Sequence, residues 1–287
     1  MTARALSVLI SLVALCVVVF AMVVWAGQAV IRTPDQPHAK LPVRAQPVDH
    51  AAFFSEPFSD GPAVTAACLG CHPGAAAEVM KTSHWTWAGE HATAPLTGSP
   101  LQAGKRNLQN NFCIGVAANW PRCTSCHVGY GWKDDTFFET AGETQVDCLV
   151  CHADASIYQK DPKGAGEPVD GTDLLAAAKS VGPTTRANCG VCHFTGGGGD
   201  GVKHGDLDET MYFPQSRVDV HMGKHRLACA DCHQAEHHQI RGRLLPARRD
   251  DDTRVLCVDC HAERPHVEDR LNEHVKTVAC QTCHIPY

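Results

Sequence analysis

This chain has few aromatic residues, few cysteines outside one repeated motif, and only one long apolar run. Phe, Trp and Tyr make up 6% of its 287 residues, although hydrophobic residues reach 44%. The formal net charge is −6, and the 25 Lys and Arg form neither a basic stripe nor a nucleic-acid motif. Nucleic acid is therefore excluded as an expected partner. Of the sixteen cysteines, only Cys16 and Cys113 stand outside the repeated motif.

The repeated motif is Cys-x-x-Cys-His, which occurs seven times. Its copies are Cys68–Cys71–His72, Cys123–Cys126–His127, Cys148–Cys151–His152, Cys189–Cys192–His193, Cys229–Cys232–His233, Cys257–Cys260–His261 and Cys280–Cys283–His284. This spacing is the attachment signature of c-type haem, with the histidine as proximal iron ligand. Zinc sites and disulfide frameworks also pair cysteines, but neither demands a histidine after every second cysteine. We therefore predict seven covalently attached haem c groups.

The cofactor load predicts the fold class. Residues 68–284 hold all seven motifs, and so dense a load leaves no room for an ordinary apolar core. The intervals between motifs are irregular, which argues against a solenoid of equal repeats. We predict a mainly α-helical chain with extensive loops, wrapped around a haem array, with helices over 75–87 and 174–181 and no strand pair. Folding is expected to require haem attachment.

The one long apolar run lies at the N-terminus, from Leu6 to Trp25. Its twenty residues match the hydrocarbon layer, which is about 30 Å thick at about 1.5 Å per helical residue. Arg4 precedes the run, which favours export of the remainder. The run exceeds a usual signal-peptide core and no clear cleavage site follows, so an uncleaved anchor is favoured over a cleaved signal. Cys16 within the run is expected to be an inert apolar residue.

These features divide the chain into three parts. Residues 1–31 are predicted to be the N-terminal transmembrane anchor or signal, residues 32–60 a Pro-rich stalk, and residues 61–287 the multihaem cytochrome c domain. The haem domain is expected on the periplasmic side of the cytoplasmic membrane. It would be anchored there, or exported to the periplasm if the first segment is cleaved.

Eleven histidines remain after the seven proximal ones, and they are candidates for the distal iron position. Six of them lie in segments that link or flank the motifs: His84, His204, His221, His238, His266 and His274. We predict that these six are distal ligands. Six distal histidines leave one of seven haems with an open position or an unusual ligand, and that haem is where a substrate would bind.

Some of the remaining histidines compete with this set. His225 is an alternative to His221, and His237 is an alternative to His238. His91 is ambiguous. Two further histidines, His38 and His50, lie in the predicted stalk and are poor candidates for ligation.

Three segments of the chain resemble the octahaem tetrathionate reductase family, which is distantly similar to hydroxylamine oxidoreductases and multihaem nitrite reductases. They are residues 107–138, 146–162 and 188–208, and they include linking sequence as well as haem motifs. The resemblance runs from about residue 67 to the end of the chain. It implies an oxidoreductase of anaerobic respiration that reduces a small sulfur or nitrogen compound, namely tetrathionate, nitrite or hydroxylamine.

The resemblance also implies a catalytic centre. It identifies the haem of the second motif as the catalytic one, with a lysine as distal ligand, and Lys203 is the matching position with Lys133 as runner-up. A lysine ligates iron only when neutral, a form that burial and the charge of the metal favour. The family likeness sets Cys113 and Asn110 beside this haem. A Cys113 thiolate would exchange with the S–S bond of a polythionate, whereas its ordinary alternative is a buried free thiol.

The chain departs from the family in its haem number. The family carries eight haems, and the seven motifs match the first seven in order, so an eighth would lie beyond His284. The chain is expected to be a fragment or to have lost that haem. The alternative function is a membrane-anchored electron-transfer cytochrome without its own catalytic site. Expected partners are a donor cytochrome or quinol-linked protein, a small inorganic substrate, and the membrane.

Overall fold

The structure is a computed structural model that describes residues 13–23, 37–43, 46–89, 92–93, 97–107, 114–194, 200, 207–242 and 253–284. Several residues singled out by the sequence lie outside these ranges: Asn110, Cys113, Lys203, His91 and His204. Residues 1–12 and 24–31 of the predicted anchor lie outside them as well. In the described part of the chain, no helix is both long enough and apolar enough to cross a membrane.

The described elements are mainly short helices, which confirms the predicted helical class. The α-helices are α1 (13–23), α2 (Gly61–Leu69), α3 (Ala75–Val79), α4 (Ser83–Thr86), α5 (Trp120–Cys123), α6 (Phe137–Thr140), α7 (Leu149–His152), α8 (Leu174–Lys179), α9 (Arg186–His193), α10 (Cys229–Cys232), α11 (Asp269–His274) and α12 (Gln281–His284). The 3-10 turns are Pro37–Lys40, Val116–Ala118, Thr124–Cys126, Glu143–Gln145, Glu209–Tyr212 and Cys257–Asp259, and Val220–Lys224 is a π-helical turn.

Two very short strand pairs are present, although no strand pair was predicted. Strand β1 (Ala92–Thr93) is antiparallel to β2 (Pro100–Leu101), and β3 (Ala235–Glu236) is antiparallel to β4 (Gln239–Ile240). Strands of two residues carry no periodic hydrophobic signal, which is why the sequence did not predict them.

The helix predicted over 75–87 is broken into α3 and α4. Thr82 ends the continuity because its Oγ1 donates to the Val79 carbonyl at 2.7 Å while its own backbone is extended. Trp87 then closes α4 in the left-handed conformation, at φ 47°. A Thr side chain that bonds back to the preceding turn competes with the helix ladder. The second predicted helix, over 174–181, is observed as α8 and begins where Asp173 accepts from the Ala176 amide at 2.9 Å.

The chain divides into two compact units. One comprises Met1–Lys40 and Cys257–Val278, and the other comprises Leu41–Leu256 and Ala279–Tyr287. The second unit contains two small apolar clusters and six of the seven motifs.

The scarce aromatic residues are concentrated in one place. The first apolar cluster is formed by Ala76, Trp85, Trp87, Val116, Val128, Trp132, Phe137 and Val146, with Trp120 and Phe138 packed against it. It contains four of the five tryptophans in the sequence. The second cluster is formed by Val64, Leu149, Ala153, Tyr158, Ala177 and Ala178. Both clusters surround the second and third haem motifs, so apolar packing positions those motifs.

Candidate haem sites

Most of the Cys-x-x-Cys-His motifs fold as a single helical turn. In five of them the histidine N–H donates to the carbonyl of the first cysteine, at 2.8 to 3.1 Å: His72, His152, His233, His261 and His284. Positions i, i+3 and i+4 lie on one side of such a turn. Each motif therefore presents two thiols and an imidazole in one direction, which is the donor set that covalent haem attachment requires.

Thiols of different motifs lie next to one another. Hydrogen bonds join Cys68 to Cys148, and Cys189 to Cys229. The second of these bonds lowers the pKa of Cys229 to about 6 and raises that of Cys189. A further bond joins Cys192 to Cys126, and with burial it raises the pKa of Cys192 well above its usual value. The first and third motifs are therefore neighbours, as are the second and fourth, and the fourth and fifth.

Two motif histidines lie opposite a second histidine at the same spacing. The ring centroids of His193 and His84 are 6.3 Å apart, and those of His72 and His50 are also 6.3 Å apart. An iron between two imidazoles takes a nitrogen from each at about 2 Å, and adding the short nitrogen-to-centre distances gives roughly 6 Å between centroids. Both pairs therefore fit a haem iron held by two histidines.

The ring orientation of other histidines fits the same role. Nδ1 lies 3.0 Å from the Gly182 carbonyl in His152, and 2.8 Å from the Arg241 carbonyl in His233. Metal-ligating histidines almost always bind a carbonyl or carboxylate through the nitrogen that does not face the metal. A cavity of about 610 Å³ opens beside His152. The third motif therefore has both an oriented imidazole and space beside it.

The second motif is built differently from the others. His127 is fully buried, and its N–H donates to Thr124 rather than to the first cysteine. Its Nε2 lies 2.7 Å from the Trp85 carbonyl, and its Nδ1 accepts from the Gly129 amide at 3.1 Å. Burial holds the pKa of His127 at about 3, so the ring is neutral. Both ring nitrogens are engaged by backbone groups, and in this arrangement the ring does not fit the role of an iron ligand.

Aromatic rings enclose the His127 imidazole on several sides. The centroids of Trp132, Trp85, Phe137 and Trp87 lie 4.7, 5.1, 5.3 and 5.5 Å from its own. This shell encloses the imidazole of the second motif in apolar surroundings. The second site is thus distinct in both its hydrogen bonding and its surroundings.

A buried polar network, which was not predicted from the sequence, lies beside the second motif. Lys160 Nζ donates to the carbonyls of His127 at 2.5 Å and Gly166 at 2.7 Å, and lies 3.0 Å from Asp147 Oδ2. The Asp147 carboxylate also accepts from the hydroxyls of Tyr130 and Tyr158, each at 2.9 Å. All three donor positions of the ammonium are thereby satisfied. No sequence motif indicates that Lys160 is buried. The only local signal is the alternation by which Tyr158, two residues earlier, is buried as well.

The predicted distal ligands are placed in several environments. His84 faces His193, and His238 Nδ1 lies 2.8 Å from Glu78 Oε2, the carboxylate that His237 also binds at 3.1 Å. These two bonds lower the pKa of Glu78. In the π-helical turn, the His221 carbonyl accepts from the Leu227 amide. The assignment of these histidines to iron stays a prediction.

The remaining predicted residues lie in the smaller unit, at an exposed position, or outside the described residues. In the smaller unit, the buried Asn272 side chain bonds both backbone groups of His266, at 3.0 and 2.8 Å, and His274 ends α11. Lys133, the runner-up for the catalytic lysine, is exposed and near Glu167. Lys203, Cys113, Asn110 and His204 lie outside the described residues.

The chain is similar in sequence and structure to known proteins. The family model described as "Cytochrome c554 and c-prime" matches residues 67–153, which contain the first three motifs. The crystal structure of octahaem cytochrome c from Shewanella oneidensis superposes with a TM-score of 0.72 at 46% identity, over 83% of this chain. These two matches support a multihaem c-type cytochrome that is related to the octahaem cytochromes. The predicted family resemblance is thereby confirmed.

The match to this family is partial in length. The cytochrome spans 53% of the length of the Shewanella protein. A curated relative, an uncharacterised protein of Archaeoglobus fulgidus, is 23% identical over 242 residues, covering 67% of this chain and 80% of that protein. The family implies covalently bound haem c and a role in electron transfer or redox catalysis.

Proposed function

We propose that this cytochrome is a periplasmic reductase that passes electrons through several haems to a small sulfur or nitrogen oxo-compound. Tetrathionate, nitrite and hydroxylamine are the candidate substrates. The observation that supports the proposal is the similarity to the octahaem cytochrome c of Shewanella oneidensis, at 46% identity over 83% of this chain. By the family resemblance, a haem at the second motif would take a lysine in place of a second histidine, and His127 would have to exchange its Nε2 contact with the Trp85 carbonyl for the iron.

The chain's own residues support the electron-transfer part of this proposal. Haem supplies one-electron chemistry when bound. The histidine pairs His72–His50 and His193–His84 would close both axial positions, leaving no place for a substrate. The proximity of cysteines from the first and third, the second and fourth, and the fourth and fifth motifs would bring the haems of these motifs close together.

The polar network beside the second motif has a supporting role. Lys160 ties the His127 carbonyl to Asp147, the residue directly before the third motif. Because its ammonium already has three acceptors, Lys160 is not the lysine that the family resemblance implies for iron. Lys203 keeps that assignment as a proposal, with Cys113 and Asn110 beside it.

Cys113 would act on a polythionate by thiol–disulfide exchange. Its thiolate would attack one sulfur of the central S–S bond of tetrathionate, forming a mixed disulfide and releasing thiosulfate. Two electrons from the haems would then release the second thiosulfate and regenerate the thiolate. If this step operates, Cys113→Ser abolishes reduction of tetrathionate but leaves reduction of nitrite in place. Equal activity of the variant toward both substrates would remove Cys113 from the mechanism.

The decisive measurement is the electron paramagnetic resonance spectrum of the oxidised protein with and without nitrite. The proposal predicts one haem whose signal differs from two-histidine ligation and changes with nitrite. Lys203→Ala should alter that one signal, whereas Lys133→Ala, at an exposed position, should leave it unchanged. A spectrum of two-histidine signals only, unmoved by nitrite, would instead favour a relay.

The relay is the second candidate function, and the two histidine pairs at 6.3 Å favour it. In this version, the cytochrome is anchored to the membrane and carries electrons from a quinol-linked donor to a separate enzyme. Residues 13–23 form a helix whose apolar side chains, including Phe20 and Val23, are 71% and 64% exposed. Such a surface needs a membrane or a protein partner to cover it.

We further propose that the chain carries seven haems, one for each motif. Pyridine haemochrome analysis against protein mass would return seven haems per chain. Six or fewer would identify a motif that is not loaded. Cys123→Ala should lower the count by one if the second motif carries its haem. Release of the protein by salt or only by detergent would separate an exported soluble form from an anchored one.

A further inference from the structure

We propose that His50 is the distal iron ligand of the haem attached at the first motif, opposite His72. The sequence placed His50 in a Pro-rich stalk and made it a poor candidate. The structure places its ring centroid 6.3 Å from that of His72, the same spacing as between His84 and His193. The inference rests on haem attachment at the first motif, and not on the reductase activity proposed above.

Local structure fixes the orientation of the His50 ring. Its Nδ1 lies 2.8 Å from the Val48 carbonyl, so its Nε2 is the nitrogen left to face His72. This is the arrangement by which a backbone carbonyl sets the tautomer and direction of a metal-ligating histidine. The Phe53 amide donates to the His50 carbonyl at 3.0 Å, and Asp49 accepts from the Ala51 amide at 2.9 Å. His50 is thus presented by a closed turn.

Packing fixes that turn against the first motif. Phe54 and Phe58, which follow the turn, contact each other with centroids 5.6 Å apart and pack on the second apolar cluster. Val64, in the middle of α2, belongs to the same cluster. Helix α2 begins where Asp60 accepts from the Ala63 amide at 2.8 Å, and it leads into the first motif. The two histidines therefore sit on segments that share one core.

The test uses the full-length haem-loaded protein and electron paramagnetic resonance without any substrate. In His50→Ala we expect the two-histidine signal of one haem in seven to disappear and a signal of altered spin state to replace it, at unchanged haem content. Added imidazole should restore the original signal, a rescue that a general structural defect would not give. His38→Ala, in the same N-terminal region, is the matched control and should leave all signals in place.

A double variant identifies which haem is affected. His72→Met changes the signal of the first-motif haem by itself. If His50 binds the same iron, His50→Ala combined with His72→Met alters one haem only, and if His50 serves another haem the combination alters two. An unchanged spectrum in His50→Ala, or two altered haems in the double variant, would overturn the proposal.

A conservative variant keeps the proposal testable if His50→Ala does not accumulate. His50→Met retains an axial donor, and methionine in place of histidine raises the reduction potential of a haem. We expect one haem to titrate at a higher potential while the others are unmoved. A redox titration identical to that of the wild type would count against ligation by His50. Since no substrate is present, these results are independent of whether the protein proves to be a reductase or a relay.

Discussion

At the scale of single residues, the Asp147 carboxylate joins four other residues beside the second and third motifs. This carboxylate is almost fully buried and accepts from Tyr130, Tyr158 and the Val150 amide, and it pairs with Lys160. Burial and this negative charge raise the pKa of Tyr130 well above its usual value. The tyrosines therefore remain neutral donors, and the network stays satisfied over the physiological pH range.

Breaking this network by one substitution should be costly. Asp147→Asn keeps the shape but leaves the Lys160 ammonium buried without its counter-charge, a change that costs about 3–5 kcal/mol in comparable pairs. We expect the loss as a lower guanidinium midpoint of the haem-loaded protein, followed by circular dichroism. Asp134→Asn is the matched control, because Asp134 is exposed and bonds only Thr136 two residues on.

A second variant separates charge from packing at this site. Asp147→Asn combined with Lys160→Met removes both charges, and replacing a whole buried pair is far less destabilising than breaking it. The double variant should therefore recover part of the lost stability. If Asp147→Asn unfolds at the same midpoint as Asp134→Asn, the network does not contribute as described.

At the scale of elements, the loop 160–168 packs closely on the second motif. The Ala165 carbonyl accepts from the amides of Gly131 and Trp132, at 3.1 and 3.0 Å. Gly166 has φ 92°, and a Cβ there would overlap the Gly129 carbonyl oxygen. Glycine is required here both by the backbone conformation and by the close approach of two chain segments.

Two glycines with similar backbone angles separate these effects. Gly171 has φ 80° and nothing near the position of a Cβ, so Gly171→Ala should cost only the conformational penalty of about 1–2 kcal/mol. Gly166→Ala carries the same penalty plus overpacking of about 1–3 kcal/mol. We expect a lower thermal midpoint for Gly166→Ala than for Gly171→Ala. Equal midpoints would mean that the loop moves aside without cost.

The hairpin β3–β4 is an element that the sequence did not indicate. His237 and His238 form its turn, with φ of 47° and 61°. Such turns normally use Asn-Gly or Gly-Gly, so a His-His pair gives no turn signal. Both rings bind the Glu78 carboxylate, which lies far from the hairpin in sequence. This contact accompanies the left-handed backbone conformation of the two histidines. Which of the two histidines ligates iron stays a prediction.

At the scale of the whole molecule, the described part of the chain has little apolar packing of its own. The two apolar clusters lie around the second and third motifs, and the small number of buried side chains is typical of domains that need a cofactor to fold. We predict that the haem-free chain has no cooperative thermal transition by circular dichroism, whereas the haem-loaded protein melts cooperatively. A sigmoidal melt of the haem-free chain would show that the two clusters suffice.

The sequence by itself determined the cofactor class, because the Cys-x-x-Cys-His spacing places all attachment atoms within one helical turn. It also led to the family, since the linking segments carry the resemblance. Only the tertiary structure decided which histidines face each other, since His50 and His72, or His84 and His193, are far apart in sequence. The same holds for the enclosure of His127 and for the Asp147–Lys160 pair. Such pairings depend on how loops fold back over one another, and no local pattern of residues encodes that.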